Sequence, residues 1–153
     1  MIWKTVATII GVWAFAVLFY VPKGQYLPCI ITGTSGYMVY LLTSGFGASS
    51  VAATLFAALS MTVMARLFSV IKKVPATIFI VTGIFPLVPG SNLYYTAYYA
   101  LNGSVINGVA MGVLTFKIAF AIALGIVTGS AFPQKWFNVC GAYIRKKIGA
   151  EAK

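Results

Sequence analysis

The 153-residue chain has no histidine and only one acidic side chain, Glu151. Paired carboxylates, a catalytic imidazole and a carboxylate metal cluster are therefore beyond what these residues can assemble, and neither enzymatic activity nor a cofactor is expected. Cysteine is almost as scarce. Cys29 sits in an apolar run and Cys140 in the C-terminal tail, with no metal-ligand spacing, so both read as ordinary buried or interfacial thiols. Charged residues make up 8% of the chain, too few for the surface of a soluble domain.

What is there is apolar and basic. Hydrophobic residues are 61% of the sequence and the mean hydropathy is +0.96, which predicts one all-α integral membrane domain. Eleven basic residues give a net charge of +10. In so apolar a chain they read as cytoplasmic anchors, not as a nucleic-acid surface.

Five spans are expected, over residues 2–21, 27–42, 48–71, 75–101 and 105–132, followed by a basic interfacial tail at 133–153. The first run is interrupted only by Lys4 and lacks a small-residue cleavage site before Pro22-Lys23-Gly24, so it reads as a retained span. The second is short and carries Thr32, Gly33, Thr34, Ser35 and Gly36, residues that let helices approach closely. In the third, Ala53 and Ala57 share a packing face. Arg66 is near enough to its end to snorkel, and is a possible charge partner. The fifth has Gly108/Gly112 and Gly125/Gly129 at small-xxx-small spacing. The tail mixes Trp136, Phe137 and Tyr143 with Lys135, Arg145, Lys146 and Lys147, a composition suited to anionic lipid headgroups. Lys23, Lys72, Lys73 and the tail fall on one side of five crossings, which places the N-terminus outside and the C-terminus in the cytoplasm.

The fourth span is broken. In Val74–Asn102 the cluster Gly83, Pro86, Pro89 and Gly90 interrupts an otherwise apolar run. Each proline lacks an N–H and clashes with the carbonyl four residues back. The first half-helix should stop near Ile84 or Phe85, and the second should restart at Ser91 or Asn92, both good N-cap residues. A break near the bilayer midplane survives only in protein or beside a wet cavity. The new N-terminus would offer free N–H groups and a positive dipole end to an anion. Pro89, Gly90, Ser91, Asn92 and Tyr94 are accordingly candidate substrate contacts. Tyr95, Tyr98 and Tyr99 complete an aromatic stripe, of which Tyr98 and Tyr99 read as a headgroup belt.

Val74-Pro75-Ala76-Thr77, then Gly83-Ile84-Phe85-Pro86-Leu87-Val88-Pro89-Gly90, then Tyr94 and Gly103, resemble the signature of the threonine/serine exporter family. The likeness is to its smaller C-terminal unit, runs from about Leu27 to about Phe132, and is most specific between Val74 and Tyr94. It implies a subunit in a bacterial plasma membrane that works with a larger partner subunit of the same family. It further implies export of threonine/serine-like amino acids or succinate-like dicarboxylates, driven by the proton-motive force. Further oligomerisation is compatible with such a half-unit. The alternative is a membrane scaffold with no pathway of its own.

Lys117 lies near the centre of the last span, too far from either end to snorkel. A charge there costs about 2.5–3.5 kcal/mol on insertion scales, yet no span contains an acid. A partner supplies the counter-charge, or a substrate carboxylate does, or the amine is uncharged when no anion is bound. The expectation drawn from this is that Lys117 faces the interior beside Pro86–Asn92 and helps bind a carboxylate.

Overall fold

The computed structural model describes residues 2–137 together with Val139 and Gly141. Among them the chain is helical, in the order α1 (Ile2–Leu18), α2 (Tyr26–Gly45), α3 (Ser50–Lys72), α4 (Ala76–Gly83), α5 (Gly90–Leu101) and α6 (Val105–Ala131). Short 3₁₀ turns occupy Lys23–Gln25 and Phe85–Leu87. The tail cluster Arg145–Lys147 and the lone acid Glu151 lie outside the described residues.

Helix ends follow from local chemistry. Ser49 caps α3 by accepting a hydrogen bond from the Ala52 N–H. Four helices close through a residue in the left-handed region: Tyr20, Gly47, Lys73 and Gly103, with φ of 53°, 83°, 55° and 74°. In each case the next N–H reaches back five residues, as Val21 does to Ala16 and Ser104 to Tyr99. These turns satisfy carbonyls that the helix itself leaves open. Along the helices, Thr8, Thr32, Thr54, Thr62, Thr82 and Thr115 donate to the carbonyl four residues back. Each hydroxyl is thereby satisfied without a partner helix.

Two helices, α3 and α6, are long and apolar enough to cross a membrane, and α4 and α5 together make a third candidate. Helix α1 is apolar but shorter, at 17 residues. Helix α2 is long enough, but its Thr/Gly/Ser stretch dilutes its apolarity. The reason is its position: α2 packs against α1, α3 and α4, so its small polar residues meet protein. The five crossings expected from the sequence are thus two clear ones and up to three by length and composition.

Small residues set the packing. Lipid tails are as apolar as leucine, so helices gain by approaching closely, not by hiding from solvent. Ala53, Ala57, Ala58 and Ala65 of α3 are fully buried or nearly so. A Cβ on Gly33 of α2 would come within 2.7 Å of Val12 and 3.2 Å of the Gly83 Cα, so α2 and α4 cross almost in backbone contact. Gly125 and Gly129 of α6 lie against Ala58 and Thr62 of α3 in the same way. Two apolar cores result. One gathers Val12, Ala16, Cys29, Ala65 and Phe79 from α1 to α4; the other joins Ala57, Ala58 and Met61 of α3 to Leu87, Ile118 and Ile122.

Candidate functional site

The break between α4 and α5 is held from both sides. Phe85 stacks on Phe15 of α1, ring centroids 3.5 Å apart, and Leu87 is buried in the core with α3 and α6. Helix α4 ends as Ile84 donates to Ile80, and the 3₁₀ turn follows, with Leu87 donating to Ile84 and Val88 to Phe85. Pro89 then adopts φ −78° and ψ 58°, and the Gly90 N–H bonds the Val88 carbonyl at 2.8 Å. Together these make an inverse γ-turn. It delivers the chain directly into α5, whose axis is bent 50° from that of the first half.

This corrects one expectation. The helix restarts at Gly90, with Pro89 in the N-cap position and no side-chain cap. Ser91 and Asn92 are first-turn residues, because the γ-turn leaves no residue between Pro89 and the helix for them to cap. Their N–H groups have no backbone carbonyl partner; the first helical bond runs from Leu93 to Pro89.

A cavity of about 320 Å³ opens at this point. Pro86, Leu87, Val88, Pro89, Ser91 and Asn92 line it from the break, Tyr37 and Tyr40 from α2, Ser50 and Thr54 from α3, and Leu114 and Ile118 from α6. Its polar groups are hydroxyls, one carboxamide and the start of a helix; none is acidic. On the other face of the break lies a second cavity, about 430 Å³, walled by Lys4, Thr8, Gly11, Phe15, Tyr37, Phe85 and Pro86 among others. Tyr37 and Pro86 belong to both walls. Lys4 is the one cation lining either cavity.

The candidate residues therefore separate. Pro86, Pro89, Ser91 and Asn92 come together in one wall. Gly90 lies between two wall residues, with nothing within 4 Å of the position a Cβ would take. Gly83, the last residue of α4, is a contact point: a Cβ there would lie 3.0 Å from Met61 Sδ of α3 and 3.4 Å from the Gly33 Cα of α2. Tyr94 is 63% exposed and does not line the cavity. It stacks on Tyr98, and Tyr95 on Tyr99, along α5, whose main packing partner among the described elements is α6.

Arg66 is occupied. Its Nη1 donates to the Gly129, Ser130 and Phe132 carbonyls and its Nη2 to the Gln134 side chain. The guanidinium also lies over the Phe137 ring, 4.6 Å from its centroid. It thus closes the C-terminal end of α6, where a cation suits the dipole.

Lys117 is corrected as well. It is exposed on the outward face of α6 and lines neither cavity. The face turned to α3 is taken by Ile118 and Ile122, clustered with Ala57, Ala58 and Met61, and by Gly125 and Gly129, and at about 100° per residue Lys117 is rotated away from it. Residues that the sequence reading missed are Tyr37, Tyr40, Ser50 and Thr54. Their signal was a helical spacing of three or four between polar side chains within apolar runs.

Comparison with known families gives one match. A family model described as threonine/serine exporter, ThrE, covers residues 4–132. No curated protein and no solved structure matches the chain.

Proposed function

The chain belongs to the threonine/serine exporter family, and from that premise we propose that it is the membrane subunit of a two-component exporter of small carboxylate metabolites. The substrates are threonine/serine-like amino acids or succinate-like dicarboxylates. A larger membrane subunit completes the pathway, and export draws on the proton-motive force. The chain sits in a bacterial plasma membrane with its N-terminus outside, its C-terminus cytoplasmic and its basic tail on anionic lipid.

One observation carries the reading: the break at Pro86–Pro89 and the first turn of α5 line a cavity that contains hydroxyls and unpartnered helix N–H groups and no acid. A carboxylate entering it meets donors and a positive dipole end, with no like charge to repel it. The bend of 50° also supports a single broken crossing, because it sends the chain onward instead of back. Ser91 and Asn92 are the contacts we assign to the carboxylate, with Pro89 and Gly90 shaping the turn that presents them. The absence of Asp, Glu and His from every described helix leaves proton carriage to the larger subunit.

Proteoliposomes holding this chain and the larger family subunit are expected to move labelled succinate or threonine down an imposed pH gradient. Vesicles with either chain alone should not. No flux with both chains present would favour the scaffold reading, and full flux from this chain alone would remove the two-component one. Orientation is checked separately: a reporter after Lys153 should read cytoplasmic and one at Ser104 external, and a shared side would contradict it.

A further inference from the structure

The outward face of α6 carries a charge where the membrane is driest. Twelve residues of the helix precede Lys117 and fourteen follow it, so its Cα is about 18–21 Å from either end at about 1.5 Å per residue. A lysine side chain reaches roughly 6 Å, short of the roughly 15 Å half-thickness of the hydrocarbon layer. Around it the same face is apolar and open: Val109, Val113, Phe116, Phe120, Leu124 and Val127 are each 40–73% exposed. Lipid would suit those six residues and would not suit the ammonium.

We propose that this face of α6 docks a transmembrane helix of a different polypeptide that carries an aspartate or glutamate at mid-depth, paired with Lys117. Charge complementarity decides the occupant. A second copy of this chain cannot serve, because its only acid, Glu151, lies twenty residues beyond the end of α6. A symmetric pairing through this face would also bring two lysines together. A free anion is a poor fit to a convex strip of valine, leucine and phenylalanine, whereas an apolar helix with one carboxylate matches both parts of it. Leu114, one helical turn from Lys117, is a wall of the break cavity. A helix seated on Lys117 therefore stands at that cavity's edge.

The inference needs only that α6 lies in a membrane. Its test reads association, not flux, so it stands or falls apart from the transport reading. In the organism's own membranes, p-benzoylphenylalanine placed at Phe120 should, on irradiation, form an adduct with another polypeptide, mapped by mass spectrometry to a membrane segment bearing Asp or Glu. Adduct yield should fall at least tenfold in Lys117→Met at unchanged membrane abundance, and survive in Lys117→Arg. Removing the charge favours insertion, so a loss in Lys117→Met is not a folding defect. Lys117→Glu should abolish the adduct, and exchanging the mapped carboxylate for lysine should recover it. Adducts confined to lipid or to a second copy, a partner segment without an acid, or a yield indifferent to Lys117→Met would each overturn the proposal.

Discussion

Replacing Gly125 by valine is expected to lower the ratio of folded to unfolded protein about a hundredfold. A Cβ at this position would lie 2.6 Å from the Ala58 Cβ, 2.9 Å from the Leu55 carbonyl oxygen and 3.0 Å from the Leu59 N. Two of the three are backbone atoms of a straight helix, which cannot turn aside as a side-chain tip can. Helix α6 must therefore back away from α3 along its longest contact. In lipid that separation forfeits packing that nothing replaces. Overpacking of this kind costs about 3 kcal/mol, a loss on the order of a hundredfold in the folded ratio. The monodisperse fraction of detergent-extracted protein measures it. Gly11→Val is the control, since nothing lies within 4 Å of a Cβ there, and it should extract normally. A normal Gly125→Val profile would mean that α3 and α6 do not pack as described.

The break should respond in the opposite way: lost transport in protein that still folds. A side chain at Gly90 meets open space, so Gly90→Leu should reach the membrane at normal abundance. The added carbons stand between Pro89 and Ser91, two residues of the cavity wall, and narrow the approach to the α5 N-terminus. Pro89→Ala restores an N–H that can bond the Phe85 carbonyl and so straighten the break. Both variants are expected to lower flux at least tenfold with unchanged extraction. Full flux in both, at normal abundance, would make Pro86–Gly90 a packing kink and nothing more.

These two glycines show what the sequence could and could not disclose. The break itself was legible, because Pro86, Pro89 and Gly90 remove donors and add clashes whatever surrounds them. Its exact exit was not: Ser91 and Asn92 are good caps by type, but Pro89 folded into a γ-turn and took the cap position. The spacing of Gly125 and Gly129 announced a close contact and, correctly read, an inward face. Lys117 is roughly 80° from Gly125 at about 100° per residue, and that offset already placed it away from the chain's interior. Apolarity gave no such hint, because α6 is hydrophobic all round and has no patterned face to follow. Tyr37, Tyr40, Ser50 and Thr54 were hidden for another reason. Their spacing of three or four marked each pair as sharing a helix face, but not that the face meets the break, because a pairing between distant helices leaves no local mark of its own. Which runs cross the membrane was no more legible, since the dilute apolarity of α2 reflects its protein neighbours and a run of residues does not reveal them.

The claim at the centre of this account is that a carboxylate metabolite passes over the first turn of α5. A cysteine at Asn92 tests it at the residue itself, with Cys29→Ser and Cys140→Ser as background and the larger subunit present. Asn92→Cys should react with a small water-soluble thiol reagent, the reaction should block flux, and succinate or threonine should slow labelling at least several-fold. Tyr98→Cys, on α5 but outside the cavity wall, should show no such protection. Labelling of Asn92→Cys that is indifferent to both metabolites, in vesicles that still transport, would place the pathway elsewhere and contradict the account.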